Sequence, residues 1–516
     1  MDIATPPLAS PMAINKRNIR LIFGLKVRQF RLEKNLSFKD LSQKSGLSVS
    51  YLNEIEKGKK YPKTEKIIKL ADALDVSYDQ LVSLKLSKKM APVAELLNSG
   101  ILDDLPLSIF GLETNTLLEL ITDVPTKINA FISTIIKIAR NYEMSREHFY
   151  LAALRSYQEM HDNYFEDLEE AVETFVKEFD FDLSPPVSVD QITHILQNTY
   201  GYTIDTVGLT QYQELSSIRS LYLPDSRYLF INHDLTPMQK AFQFGKELAF
   251  NYLKLKERPS PHSYGKLNSF EEALNNFKAS YFSVALLINR EEMRNDLEAL
   301  FQSPTWESDH FMSLMNKYEA TPEMFFHRLT NLLPKYFGVN NLFFLRTEQQ
   351  LDVEPEFYRI TKELHLQRQH SPHSVVLDEH YCRRWVSVRI LKNLMRSQQM
   401  EGGQDCLVDV QHSSYVGTKN EYLCISVARA NSPTPNSNVS VTLGIHLDAV
   451  AKRKIKFLEH PDIPGKVVHS TCQRCTITDC MERAAPPDQL IRERKIQNAK
   501  DQLELLIKSK DQILTS

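Results

Sequence analysis

Cys472, Cys475 and Cys480 fall within nine residues as C-x-x-C-x-x-x-x-C. The thiolate is the metal-binding form of cysteine, and one short loop can wrap three sulfurs around a single site. Structural zinc usually takes two well-separated pairs of ligands. Three thiols on one loop with a remote fourth are closer to iron–sulfur ligation. The fourth ligand would come from Cys382, Cys406, Cys424 or His469. Cys406 and Cys424 stand in strand-like contexts (DCLVDV, YLCISVA) and read as ordinary buried cysteines. Arg383, Arg384, Arg474 and Arg483 lie close by in sequence and would favour thiolate forms. His365, His370, His373 and His380 precede Cys382 within sixteen residues; with Pro372 among them they read as a polar, solvated loop.

A second chemistry is hidden by the average charge. The 516 residues carry 62 Lys/Arg and 65 Asp/Glu, a net charge of -3. Residues 16–82 alone hold fifteen Lys/Arg and eight Asp/Glu, or +7, which leaves -10 for the rest. A uniformly basic nucleic-acid coat protein is excluded; one basic module is not. Six cysteines are too few for a disulfide scaffold. The longest apolar runs, such as residues 284–288, are far shorter than the ~18 residues of a membrane span. The amino terminus has no apolar stretch of the secretory kind. The expectation is a cytoplasmic chain with reduced thiols and no membrane contact.

The elements that must position these residues follow from caps and periodicity. Residues 1–18 read as a disordered arm with three prolines. Residues 19–85 predict five helices: RLIFGLKVRQFRLEKN; FKDLSQKSG capped by Ser37; SYLNEIEKG capped by Ser48; TEKIIKLADAL capped by Thr64; and YDQLV capped by Ser77. Gly46 takes the left-handed turn position after the second helix. Two short helices with a glycine turn between them make a helix-turn-helix, whose second helix enters the major groove. Leu41, Leu47, Leu52 and Ile55 should be core. Ser48, Ser50, Tyr51, Asn53, Glu54 and Lys57 should face DNA, with Asn53 suited to an adenine edge and Glu54 to cytosine. Ser37, Lys39, Lys57, Lys59 and Lys60 suit phosphates, which fix register rather than sequence.

Further along, residues 86–184 predict a helical linker or dimerisation region, with Leu96, Leu97, Ile101, Ile128, Phe131, Ile132, Ile135 and Ile136 at helical spacing. Residues 185–340 predict an α+β domain: a helix, short strands in YTIDTVGL, SIRSLYL and RYLFIN, then strong helices over 237–255 and Phe270–Leu287. Residues 341–487 predict a strand-rich α+β domain, with strands beginning at 342–346 and near 408–411, Glu421–Ala430 and 440–446. Residues 488–516 form a charged amphipathic helix with Leu503, Leu506 and Ile507 on one face. The fold class is multidomain, mainly α with α+β.

Three resemblances rest on these residues. Arg31, Leu41, Gly46, Tyr51, Ile55, Glu56, Gly58 and Pro62 resemble the Cro- or XRE-type repressor domain. AFQFGKELAFNY (241–252) resembles the zinc helix of ImmA/IrrE-type peptidases, in which two His at i and i+4 bind zinc and a Glu is the general base. Here Lys246 and Phe250 stand at the two His positions, Glu247 remains, and the third ligand falls near Asn276. That pattern implies a retained scaffold without its metal; Lys246 beside Phe250 would suit an anionic ligand with an apolar tail. Finally, VHSTCQRCTITDCMERAAPP (468–487) and Cys382-Arg383-Arg384-Trp385 resemble the short-chain fatty acyl transcriptional regulator family, whose order of parts also matches. That resemblance implies a bacterial, dimeric or higher homo-oligomeric regulator that binds a double-stranded DNA operator. It further implies an acyl-CoA effector and a [4Fe–4S] cluster on Cys382, Cys472, Cys475 and Cys480, with zinc as the alternative metal. Arg383 replaces the proline usual in that family's element. The rival readings are a zinc metallopeptidase cleaving a partner regulator and an iron–sulfur redox sensor without an acyl ligand.

Overall fold

The computed structural model describes residues 16–83, 146–215, 217–259, 267–352, 356–366, 379–434 and 436–514. The arm before residue 16, the apolar positions predicted between Leu96 and Ile136, and His370 and His373 lie outside them. The chain divides into two compact units, one of residues 1–153 with 267–270 and one of the remainder.

The first unit contains α1 (Lys16–Glu33), α2 (Phe38–Ser45), α3 (Val49–Glu56), α4 (Thr64–Leu74) and α5 (Tyr78–Val82). Ser37 and Ser77 close capping boxes with Asp40 and Gln80, and Ser48 accepts from the Tyr51 amide. Thr64 is not a cap: Lys63 holds the N-cap position with no side-chain bond, and Thr64 is the first helical residue. Gly46 ends α2 at φ +68°, a conformation that L side chains resist. Leu41, Leu52 and Ile55 are fully buried and join Phe23, Val27, Ile67, Leu70 and Leu74 in one core. α1 crosses the end of α3 at Gly24, where an added Cβ would lie 2.3 Å from the Ile55 carbonyl oxygen.

In the second unit the helices are α6 (Arg146–Met160, which begins before it), α7 (Glu166–Glu178), α8 (Val189–Asn198), α9 (Pro237–Tyr252), α10 (Phe270–Leu287), α11 (Arg290–Gln302), α12 (Ser308–Lys317) and α13 (Pro322–Leu332). Strands β1 (Thr203–Asp205), β2 (Ser220–Leu223) and β3 (Tyr228–Ile231) form a small sheet of order β1-β3-β2. A six-stranded sheet follows, with β4 (Leu342–Gln350), β5 (Phe357–His365), β6 (Cys406–Tyr415), β7 (Glu421–Ala430), β8 (Ser437–His446) and β9 (Gly465–Val468) in the order β5-β4-β8-β7-β6-β9. All its pairs are antiparallel except β6 with β9. Helix α14 (Val386–Gln398) packs on one sheet face with Phe343, Leu345, Tyr422 and Cys424. The other face, with Phe344, Leu423, Ile425, Val427, Leu443 and Ile445, shares one core with α7 to α13. α15 (Ala449–Lys454) and the long α16 (Asp488–Leu514) complete the described chain.

β5 was not anticipated from sequence, and it corrects the reading of His365 as part of a loop. His365 is a half-buried residue of β5, paired with Phe343. The strand carries a bulge: Arg346 pairs with Lys362 and Thr347 with Ile360, so Thr361 is extra. The phase of the alternation therefore changes partway along. Tyr358 and Ile360 pack on the α14 side, whereas Leu364 packs on the other. No single period-two pattern runs through FYRITKELH.

Candidate functional site

The first candidate is the exposed side of α3. Ser48, Ser50 and Asn53 are exposed, and Tyr51, Glu54 and Lys57 are half-buried, while Leu52 and Ile55 on the opposite side are in the core. Ser37, Lys39, Lys59 and Lys60 are exposed around this face. The cap roles of Ser37 and Ser48 use their oxygens as acceptors, which leaves their hydroxyl protons for another partner. Two expected DNA contacts are held by each other: Lys60 Nζ lies 2.9 Å from Glu54 Oε2, and the carboxylate holds the Lys60 pKa up. Lys66 stands 4.2 Å over the Tyr51 ring. Arg31 and Glu56 are not surface residues. Arg31 donates to both carboxylate oxygens of buried Glu56, at 2.7 and 2.9 Å, and lies over Phe38. They lock α1 to the end of α3, the helix that would meet DNA.

The second candidate lies where the peptidase metal would be. Gly245 brings α9 against α10, because a Cβ there would meet Ser283 Oγ at 2.4 Å. This close crossing brings positions 246 and 276 together, and Lys246 Nζ donates to Asn276 Oδ1 at 2.8 Å. Glu247 is buried and engaged: Tyr202 Oη and Arg258 each donate to its Oε2, at 2.9 and 2.8 Å. Arg258 also covers the Phe250 ring at 4.2 Å. An ammonium, a phenyl ring and a carboxamide do not make a zinc-ligand set. Glu247, fixed by a guanidinium, is not arranged to take a proton from a water.

The helix-facing side of the large sheet completes this site. β4 presents Leu342 and Phe344 there, then Arg346; β7 presents Leu423, Ile425 and Val427, then Arg429; β5 presents Leu364 and Lys362. The apolar rows thus end in three cations. Glu323 from the first turn of α13 lies 3.2 Å from both Arg346 and Arg429. Burial works to raise the Glu323 pKa, but Arg429 and Arg346 outweigh it and hold the carboxyl at about 2. Arg219, just before β2, feels the same carboxylate and both arginines. Lys362 is exposed on the edge strand β5, and Lys246, Arg219 and His327 are half-buried, so solvent reaches these side chains. Burial lowers the Lys246 pKa to about 8, with Glu247 opposing and Lys362 and Arg219 assisting. It lowers that of His327, stacked on Phe344, to about 4. Arg219, Arg346, Lys362 and Arg429 act on one carboxylate, Glu323, and Lys246 stands within electrostatic reach of Arg219, Lys362 and Glu247, the last of these paired with Arg258. Apart from Lys246, none of these cations was singled out from sequence, where each is an isolated charge at the end of an apolar run.

The third candidate is the cysteine loop. Tyr381 and Thr471 form a β-bridge, and the Cys382 amide donates to the Ser470 carbonyl, so the two distant segments join. Cys382, Cys472 and Cys475 are buried free thiols, and Cys480 is half-buried. Burial first, then Cys472 and Cys475, act to push the Cys382 thiol up to about 11. Among the described residues no group of three or more His, Cys, Asp or Glu is drawn together as a metal would hold them. The arginines act differently from the expectation. Arg383 covers the Tyr358 ring and donates to the Glu356 carbonyl, and Arg474 pairs with Glu379, so neither is directed to a thiol. Arg483 instead ties the loop, donating to the carbonyls of Cys472, Cys475 and Ile477. His469 accepts from Trp385 Nε1 through its carbonyl. His380 is exposed, with its ring against Gln473, and Cys406 and Cys424 lie in β6 and β7.

The capped α2–α3 pair and its polar outer face define a helix-turn-helix module. Residues 27–81 match the helix-turn-helix family model, and residues 192–330 match the IrrE N-terminal-like domain. Control protein C.BamHI of Bacillus amyloliquefaciens is 41% identical over 66 residues, 13% of this chain and 82% of that protein. The HTH-type transcriptional regulator YazB of Bacillus subtilis is 38% identical over 60 residues, 12% of this chain and 87% of that protein. The chain belongs, through this head, to the helix-turn-helix transcriptional regulators of the XRE type. Among solved structures, a Mycobacterium tuberculosis transcriptional regulator aligns at 19% identity and a TM-score of 0.45, covering 64% of this chain and 92% of that one. The restriction-modification controller protein C.AhdI from Aeromonas hydrophila aligns at 37% identity and a TM-score of 0.12, covering 12% of this chain and 94% of that one. Among the described residues no helix is long and apolar enough to cross a membrane.

Proposed function

We propose that this protein is a sequence-specific DNA-binding regulator whose occupancy of a double-stranded operator is set by an anionic metabolite of the acyl-CoA class. Asn53 and Ser50 read base edges, and Lys39, Lys57, Lys59 and Lys60 contact phosphates. A homodimer binding two half-sites about one helical turn apart is the arrangement such a head uses. The observation that carries the effector reading is the solvent-reached cluster in which Arg219, Arg346, Lys362 and Arg429 share the one carboxylate of Glu323, with Lys246 in reach of Arg219 and Lys362. Phosphates are the chemistry such a charge excess suits, and half-buried Phe242 offers apolar surface beside Lys246. An effector that binds the DNA-competent and incompetent states unequally shifts their populations by that difference.

The cysteine loop is a second input in the same proposal. Its donor chemistry suits a [4Fe–4S] cluster, or zinc, on Cys382, Cys472, Cys475 and Cys480, and such a cluster would supply redox sensitivity. The bridge that joins the Cys382 and Cys472 segments supports this reading. The test is anaerobic purification with iron, sulfide and zinc quantified, followed by DNA binding with and without propionyl-CoA. A change in DNA affinity of about fivefold or more on adding propionyl-CoA is expected. Equal affinities, with no heat of propionyl-CoA binding, would remove the effector from the account.

A further inference from the structure

Each of the four positions that make a zinc peptidase site is engaged by another side chain, and two cations, Lys246 at the first position and Arg258 beside the second, stand there. Lys246, at the first ligand position, bonds Asn276, at the third. Phe250, at the second, lies under the Arg258 guanidinium, and Glu247 is held by the same guanidinium and by Tyr202. Asn251 in turn donates to the Tyr202 hydroxyl and to the Glu247 carbonyl. The scaffold that brought ligands together is intact, because Gly245 still permits the tight α9–α10 crossing. A metal ion in such a site does two things: it neutralises the buried carboxylate and offers positive charge to an oxygen of the ligand. Arg258 does the first here, at 2.8 Å from Glu247. Among the described residues Lys246 makes no bond to a carboxylate; its acceptor is the neutral Asn276 amide oxygen. It stands within electrostatic reach of Glu247, which Arg258 already pairs, and of Lys362 and Arg219 in the cationic cluster.

We propose that the metal of the peptidase scaffold has been exchanged for resident cations: Arg258 neutralises Glu247, and Lys246, oriented by Asn276, presents its ammonium to the anionic ligand of the cationic cluster. The ligand half of this proposal rests on the effector reading above; the exchange itself does not. The consequence is a binding site whose charge comes from the chain's own side chains and does not depend on metal supply.

Two measurements on the full chain separate these halves. The fourfold variant Lys246→His, Phe250→His, Asn276→Asp, Arg258→Ala is titrated with cobalt(II) beside its parent. One additional equivalent with tetrahedral visible bands is expected; no additional metal in a variant that keeps the parent's circular dichroism and DNA binding would overturn the exchange. Metal analysis of Glu247→Gln gives an arm that requires no rebuilt site. Its metal content should equal the parent's, and a loss of one zinc would show that the native helix holds metal, contrary to the proposal. For the ligand half, calorimetry with propionyl-CoA compares Lys246→Met and Lys246→Arg. Losing a charge-assisted hydrogen bond should weaken binding about 10- to 100-fold in Lys246→Met. Lys246→Arg should keep most of the affinity. Unchanged affinity in Lys246→Met would overturn the role of the ammonium. No binding by the parent would overturn the effector reading and the ligand half, while the cobalt result still decides the exchange.

Discussion

Removing the Glu56 carboxylate would leave the Arg31 charge buried without its counter-ion. The pair is nearly dry, with side-chain exposures of 9% and 4%, and Arg31 makes two bonds to the carboxylate, at 2.7 and 2.9 Å. Glu56→Ala leaves in place the bond from Arg31 to the Leu36 carbonyl, at 3.0 Å, and the contact with Phe38. Breaking a buried pair on one side costs about 3–5 kcal/mol, because the remaining charge keeps its desolvation penalty. At about 1.4 kcal/mol per tenfold, the opening constant of α3 should rise by roughly two to three and a half powers of ten, up to the global stability of the head. Hydrogen exchange of the α3 amides in the full chain measures this, with the Leu52 and Lys57 amides, bonded to Ser48 and Asn53, as reporters. The double variant Arg31→Met/Glu56→Met removes both charges and should recover most of the protection. A single variant that accelerates exchange less than about tenfold, or a double variant as labile as the single one, would refute the argument that the pair is a buried lock.

Other residues give independent tests. Asn53→Ala should weaken binding to the preferred sequence by about 1–3 kcal/mol and relax one base position, read by competition with single-base variants of the site. Lys59→Ala should weaken binding to all sequences alike and reduce the slope of log affinity against log salt by about one. Gly24→Ala should push α1 off the end of α3, since its Cβ has only 2.3 Å to the Ile55 carbonyl; a melting curve and DNA affinity equal to the parent's would contradict this. Acid should destabilise the second unit in two stages. His327 has a folded pKa of about 4, below its ordinary 6.5, so its contribution is complete above pH 6.5 and is lost as pH falls toward 4. Glu323, at about 2 rather than 4.5, loses its contribution only between about pH 4.5 and 2. Chemical melts of His327→Gln against pH should lack the first stage; an unchanged profile would contradict the assignment.

How much of this was readable in the sequence depends on whether the signal was local. The caps at Ser37, Ser48 and Ser77, the turn at Gly46 and the buried stripe of Leu41, Leu52 and Ile55 are local signals, and the five helices of the head follow from them. Strand Glu421–Ala430 and helix Phe270–Leu287 have the bounds that their apolar patterns predict. β5 was hidden because the bulge at Thr361 changes its phase. The cationic cluster was hidden for another reason. Arg219, Lys246, Glu323, Arg346, Lys362 and Arg429 come from six elements or their flanks, and only the fold makes them neighbours. The division expected at residue 340 also looks different in space, since helices before it and strands after it share one core. At the cysteine loop the spacing of the thiols was legible. The tie of Arg483 to three carbonyls was not, because hydrogen bonds to backbone oxygens carry no sequence signature.

The most direct test of the central claim is selection of duplex DNA from a random pool by the full-length protein and by Asn53→Ala. The account predicts that the parent enriches a two-fold related site with half-sites about one helical turn apart, and that Asn53→Ala enriches the same site with one position relaxed. A parent that enriches nothing, or an Asn53→Ala variant that returns the parent's site unchanged at every position, would contradict the reading of α3 as the helix that reads DNA.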